Sequence, residues 1–252
     1  MFKLIIVSSG SKSNAAIIRS DSGALLVDCG VSMRTLKAAL DKCGILQTEL
    51  KAAVITHSHS DHTKGIATVK KNMGIPFYSA VEVDGCIRFE GSLTVGDITV
   101  EPFACSHDVD CVGYKISCGD RSVCIATDTG VVTDDTLNAL MGVSTVVLES
   151  NHDVDMLRSG PYPLSLKHRI LSCDGHLSNA DCAKTLAHLA SCGLRCAVLA
   201  HISEHNNTPL MARACAVSEL NKYGFDEVEV IPASDMLEIE IQENCNENSN
   251  SR

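Results

Sequence analysis

His57, His59, Asp61 and His62 fall within six consecutive positions, in the stretch VITHSHSDHTKG at residues 54–65, directly behind a short apolar run. Imidazoles and carboxylates at this density are metal ligands by type. One Zn²⁺ is satisfied by about three protein donors plus water. His57 and His59 alternate at the end of a strand and can point to one side, whereas Asp61 and His62 follow in the turn and reach a neighbouring point. Four donors divided by that turn suit two adjacent ions better than one.

Further candidates close other apolar strands. His107 follows EPFACS, Asp128 follows SVCIAT and His201 follows CAVLA. A lone histidine at a strand end is ordinarily a surface or hydrogen-bonded residue, and these become ligand candidates because of the dense motif elsewhere. The expected assignment places His57, His59 and His107 on one ion and Asp61, His62 and His201 on the second, with Asp128 bridging. Two ions so held would lie roughly 3.5–4 Å apart, the usual spacing of two-metal hydrolases. Histidine-rich ligation suits zinc, and the carboxylates also admit manganese or iron.

The elements that must position these residues read as alternating apolar runs and helical patterns. KLIIV, NAAIIRS and GALLVDCG read as strands, SMRTLKAALDKCG as a helix closed by Gly44, KAAVIT as a buried strand and TKGIATVKKNMG as a helix. FYSA, SLTV, ITVEPFAC, VGYKIS and SVCIATD follow as mostly antiparallel strands. TDDTLNALM, PLSLKHRILS, NADCAKTLAHLASCG and PLMARACAVSELNKYG read as helices, and TVVLES, CAVLAH and EVEVI as strands. Two sets of strands with helices between and after them predict stacked sheets covered by helices, an α/β fold. Residues 1–241 are expected to form one domain and 242–252 a disordered polar tail.

The chain has 252 residues, 45 % of them hydrophobic, enough for a globular core. No apolar run is long enough to span a bilayer, and MFKLIIVSSGSKSN reads as a first strand rather than an export signal. Thirteen cysteines, an odd number without a CxxC pair, do not form a disulfide framework and read as small buried hydrophobes in a reducing cytoplasm. A formal net charge of −10 excludes a protein that coats nucleic acid with its whole surface, but not one with a local basic groove.

Taken together, THSHSDHTKG, ALLVDCG, ACSHD, IATDTG and LAHIS resemble the metallo-β-lactamase superfamily over nearly the whole chain. The resemblance implies a four-layer αββα sandwich. It also implies that Asp28 supports the metal loop through hydrogen bonds instead of binding metal. Asp128 stands where the commonest lactamases carry a cysteine, and a carboxylate that can touch both ions favours phosphodiester chemistry. His59 stands where diiron flavoproteins of this fold carry a glutamate. The span from Asp128 to His201 is too short for the extra domain of the large nucleic-acid-processing members, and no Gly/Pro-rich arm is present.

Glu149 in LESNHD and His176 in DGHLSN resemble motifs of tRNA-processing relatives in which such a pair delivers a proton. Residues 149–179, with SSGSKSN near the start and SEHNN after His201, are similar to the YycJ (WalJ) group of bacterial proteins, regarded as 5′→3′ exonucleases acting on DNA. That membership implies attack on phosphorus by a hydroxide bridging two metal ions. Asp61 would ligate and help to orient the water, and His176, held by Glu149, would protonate the leaving 3′-oxygen. Lys12, His152, Arg158, Lys167 and Arg169 are the candidate DNA contacts, with the segment from Arg158 to Arg169 as the preferred groove and Tyr162 a candidate to stack on a base. Lys64, Lys70 and Lys71 are more simply the solvated face of a helix. Two rival functions stand beside this one: a phosphodiesterase for small or cyclic diesters, which needs no basic track, and a metal-holding regulatory scaffold without turnover.

Overall fold

The structure, a computed structural model, describes residues 1–244. Two seven-stranded sheets stack face to face. The first runs in the order β14 (Leu237–Glu240), β1 (Lys3–Ser8), β2 (Ala15–Arg19), β3 (Ala24–Val27), β4 (Leu50–Val54), β5 (Phe77–Ser79) and β6 (Ile87–Arg88). The second runs β13 (Glu229–Pro232), β12 (Cys196–Ala200), β11 (Thr145–Glu149), β10 (Arg121–Ala126), β9 (Cys111–Cys118), β8 (Ile98–Cys105) and β7 (Leu93–Val95). Helices cover both outer faces, giving the expected four layers.

Three apolar clusters account for this layering. Between the sheets, Leu4, Ile18, Leu25 and Val54 of the first meet Val100, Ile116, Val123 and Val198 of the second. Burying one such side chain is worth roughly 1.5–3 kcal/mol, so this seam is a major source of cohesion. The opposite face of the first sheet packs under α1 (Met33–Lys42) and α3 (Ile66–Met73), through Ile17, Leu26, Ala53, Leu36, Leu40 and Val69. The second sheet does the same with α7 (Asn179–Ser191) and α8 (Pro209–Lys222), through Val146, Leu148, Leu199, Leu186 and Leu220. Strands β3, β4, β10, β11 and β12 are apolar along nearly their whole length because both of their faces are covered.

The caps follow the sequence. Ser178 accepts from the Asp181 amide at the start of α7, and Gly44 follows α1 in the left-handed region. Several elements differ from the sequence expectation. The single helix expected in TKGIATVKKNMG is split into α2 (Ser60–Thr63) and α3, because Gly65 is drawn against Cys29, whose carbonyl accepts the Gly65 amide at 2.8 Å. The short β6, α5 (Val154–Ser159) and the edge strand β14 were not foreseen, and α4 (Asp134–Leu140) and α6 (Leu164–Ile170) are shorter than their patterns suggested. Most of the expected tail, 245–252, lies outside the described residues. Within 242–244, the Gln242 carbonyl accepts from Ser144 and the Asn244 amide donates to the Asp120 carbonyl. Among the described residues no helix is long and apolar enough to cross a membrane.

Candidate metal centre

The strands deliver their polar residues to one end of the sandwich. Asp28 follows β3, Asp128 follows β10 and His201 follows β12, and all three have positive φ, at 58°, 57° and 53°. Positive φ is uncommon outside glycine, although Asp and His tolerate it better than most residues. Among the described residues the only other non-glycine case is Met236. A left-handed residue at the end of a parallel strand turns the side chain back over the sheet edge, and its recurrence at three strand ends marks the site.

The histidine motif is held by a close backbone contact. A Cβ on Gly30 would stand 1.5 Å from the Asp61 carbonyl oxygen, so only glycine lets the β3 loop pass beneath α2. The Cys29 amide donates to the His62 carbonyl at 2.7 Å and the Asn14 amide to the Asp61 carbonyl at 2.8 Å, which clamps the loop from two sides.

Two donor triads result. Single ligand atoms of His57, His59 and His107 lie within 4.8 Å of one another, and so do those of Asp61, His62 and His201. Asp128 groups with His57 and His62 and, separately, with His201, so it stands between the triads. Hydrogen bonds fix which nitrogen of each ring faces inward. His57 Nδ1 lies 3.0 Å from Thr56 Oγ1, and His107 Nδ1 lies 3.2 Å from the Gly175 carbonyl. His62 Nδ1 meets Asp28 Oδ2 at 2.8 Å, and His201 Nδ1 meets Glu149 Oε1 at 2.9 Å. In each of these four rings Nε2 is left as the inward donor. His59 is turned the other way, with Nδ1 3.3 Å from His107 Nε2.

The donor set fits divalent metal on an observation independent of any family. Buried polar atoms are normally hydrogen bonded. His57 Nε2 and His201 Nε2 are buried without a hydrogen-bond partner, and Asp128 Oδ2, buried beside them, faces only His62 Nε2, at 3.1 Å. The electrostatics agree. Burial opposes charge on His62, but Asp28 and Asp128 outweigh it and raise its pKa well above the usual value. His201 is likewise pushed up to about 10, against burial, by Asp128, Asp61 and Glu149. The carboxyl of Asp128 is held well below its ordinary range, also against burial, by His201, His62 and His57. His57 is lowered to about 4 by burial and by His62, which outweigh the pull of Asp128 and Asp28. A buried carboxylate cluster that draws protons onto its histidines is one that calls for positive charge, which divalent ions supply while displacing those protons.

Asp28 accepts from the Thr56 amide at 2.9 Å and from the Thr56 hydroxyl, while orienting His62. Behind the second triad, Glu149 is fully buried. Its Oε1 lies 2.8 Å from His176 Nδ1 as well as 2.9 Å from His201 Nδ1, and its Oε2 accepts from the Thr129 amide at 2.8 Å. His176 is therefore tied to the centre through Nδ1, and its pKa is raised, against burial, by Glu149.

The expected DNA contacts are scattered by comparison. Lys12 is exposed and paired with Glu204 at 2.7 Å. Lys167 Nζ donates to the Arg158 carbonyl, and Arg169 Nε donates to Asp108 Oδ2 at 3.1 Å. His152 is only 1 % exposed and neither ring nitrogen has a hydrogen-bond partner, so it offers a substrate no accessible surface. Its backbone is bridged to Ser178, in the segment before α7. The Tyr162 ring stands 5.9 Å from that of His205, edge to face.

Two residues escaped the sequence reading. Asn14 Nδ2 donates to Asp61 Oδ2 at 3.0 Å and lies 2.9 Å from His62 Nε2. Asp108 Oδ1 lies 3.4 Å from His59 Nε2. The only sequence signal for Asn14 was its place at the end of the SGSKSN turn, and Asp108 had none beyond adjacency to His107.

A description of the beta-lactamase superfamily domain matches residues 24–202, which contain every candidate ligand. The chain belongs to the metallo-β-lactamase superfamily. Within the superfamily it groups with YycJ and WalJ. It is 34 % identical over 236 residues to exodeoxyribonuclease YycJ of Bacillus anthracis, covering 87 % of this chain and 89 % of that protein. It is 35 % identical over 237 residues to exodeoxyribonuclease WalJ of Streptococcus pneumoniae, covering 87 % and 88 %. The metallo-β-lactamase fold protein YhfI from Bacillus subtilis superposes with a TM-score of 0.74 at 18 % identity, over 94 % of this chain and 98 % of that one, which speaks to the fold. As a superfamily member with this donor set, the chain is a metal-dependent hydrolase.

Proposed function

We propose that the chain is a dinuclear-metal phosphodiesterase that degrades DNA from the 5′ end. The observation that carries the reading is the pair of donor triads meeting at Asp128, with the buried His57 Nε2 and His201 Nε2 left without a hydrogen-bond partner. The relatives named exodeoxyribonuclease supply the substrate class, and polarity from the 5′ end is what the resemblance to their group implies.

His57, His59 and His107 would hold one divalent ion and Asp61, His62 and His201 the other, with Asp128 serving both; zinc and manganese suit these donors. Such ions supply an activated water and Lewis acidity toward the phosphate oxygens. The chain's own residues account for the rest. Asp61, fixed by Asn14, keeps one carboxylate oxygen at the second triad, where it can orient the proton of the attacking water. His176 presents Nε2 to the substrate because Nδ1 is engaged by Glu149. The P–O3′ bond breaks as water adds to phosphorus, and the leaving 3′-oxygen takes the His176 proton. In this scheme the remaining strand keeps the new 5′-phosphate. The cysteines among the described residues are all free thiols, which suits a cytoplasmic location.

One observation favours a second reading, hydrolysis of small diesters. An open cavity of about 540 Å³ beside the centre is lined by His107, Asp108, Asp110 and Asp174, a poor path for a polyanion. Incubation with Mn²⁺ or Zn²⁺ of DNA labelled at one or the other end separates the two. Early release of the 5′-terminal nucleotide supports the exonuclease. Release from the 3′ end overturns the polarity, and indifference to DNA with turnover of a cyclic nucleotide supports the small-diester reading.

A further inference from the structure

We infer that Asp108, pinned by Arg169, is a positioning residue for the metal ligand His59. The inference rests on the reading that His57, His59 and His107 hold metal. His59 differs from its neighbours: it offers Nδ1 to the centre, so the outward nitrogen is Nε2. The group facing that nitrogen is Asp108, whose Oδ1 lies 3.4 Å from it and 3.2 Å from His107 Nε2. A ligating imidazole needs its other N–H held, because that bond fixes both the tautomer and the ring plane. His57 has Thr56 for this, His62 has Asp28, His107 has the Gly175 carbonyl and His201 has Glu149. Asp108 Oδ1, at ion-pair distance from His59 Nε2, is the group placed to serve His59 in the same way.

Asp108 is not placed as a ligand in its own right. Its side chain is 34 % exposed, and its second oxygen is taken by Arg169, which donates through Nε at 3.1 Å and through a terminal nitrogen. Two donors of the planar guanidinium converge on this one oxygen, which a lysine's single ammonium could not reproduce. Arg169 sits in the last turn of α6, and the loop after α6 supplies the Gly175 carbonyl that holds His107. Two ligands of the first triad are thus set by one short segment, residues 169–175. Arg169, expected from sequence to touch DNA, is assigned to the metal site instead.

Titration of the apoprotein with Zn²⁺ against a chromophoric chelator, without DNA, tests this. Asp108→Ala should weaken one of the two sites by about 10–100-fold and leave the other alone. Asp108→Asn, which keeps an acceptor for the His59 N–H but turns an amide donor toward Arg169, should recover only part of that loss. Arg169→Ala should weaken the same site, and the double variant should be no worse than Asp108→Ala. In the Co²⁺ form, the visible bands should shift in Asp108→Ala and Arg169→Ala. Wild-type affinity at both sites in Asp108→Ala overturns the inference, as does wild-type metal affinity at both sites in Arg169→Ala. Because DNA is absent, a wild-type chain that binds two ions yet degrades no DNA counts against the functional reading and not against this one.

Discussion

Glu149 Oε1 lies 2.8 Å from His176 Nδ1, and the same oxygen lies 2.9 Å from Nδ1 of the ligand histidine His201. One buried carboxylate therefore orients the group assigned to deliver the proton and a group assigned to hold metal. His176→Ala should lower the rate on DNA by about 10²–10⁴-fold. On a bis(nitrophenyl) phosphate diester the loss should stay within roughly tenfold, because nitrophenolate leaves without a proton. Equal losses on both substrates would remove His176 from the proton-transfer step. Glu149→Gln should add a fall in bound metal, which His176→Ala should not show.

Asp28 is expected to act on metal affinity through His62. Asp28→Asn keeps the left-handed backbone that Asn tolerates, but disturbs the acceptor for His62 Nδ1 and Thr56. The affinity of the second site should drop by about 10–100-fold while the metal-free protein stays folded. Competition titration with circular dichroism checks this, and unchanged affinity would mean that His62 is oriented without Asp28.

Metal should stabilise the fold, since it supplies partners for His57 Nε2, Asp128 Oδ2 and His201 Nε2. At a hundredfold excess over Kd each site contributes about 2.7 kcal/mol. For a chain of this size that corresponds to a rise in Tm of roughly 5–10 °C per site. Calorimetry with and without Zn²⁺ or Mn²⁺ reads it directly. A chelator should abolish hydrolysis and reverse the shift, and an unchanged Tm on saturation would argue against buried ligation.

Gly30 should be intolerant of any side chain. A Cβ there meets the Asp61 carbonyl oxygen at 1.5 Å and the Asn14 amide nitrogen at 2.7 Å, both backbone atoms. Gly30→Ala should cost about 3 kcal/mol or more and lower metal content at the Asp61 triad. A Gly30→Ala protein with wild-type Tm and two bound ions would show that the loop can yield.

The layers and the ligand gathering were legible in sequence because the strands that carry ligands are short, mostly apolar and closely followed by Asp or His. Asp28, Asp128 and His201 could be picked out for that reason. What stayed hidden depends on contacts made across the fold. Strand β14 pairs Glu240 with Lys3 at the opposite end of the chain, which no local pattern reports. Asn14 reaches Asp61 and Asp108 reaches His59 only once the loops are stacked over the sheet edges. His152, in sequence a candidate substrate contact just past a strand, is buried, with its backbone bridged to Ser178 before α7.

Anomalous scattering from a crystal grown with Zn²⁺ or Mn²⁺ gives the most direct test of the centre. Two peaks per chain are expected, one among His57 Nε2, His59 Nδ1 and His107 Nε2, the other among Asp61, His62 Nε2 and His201 Nε2, with Asp128 in contact with both. A single peak, or peaks away from these atoms, would contradict the dinuclear site.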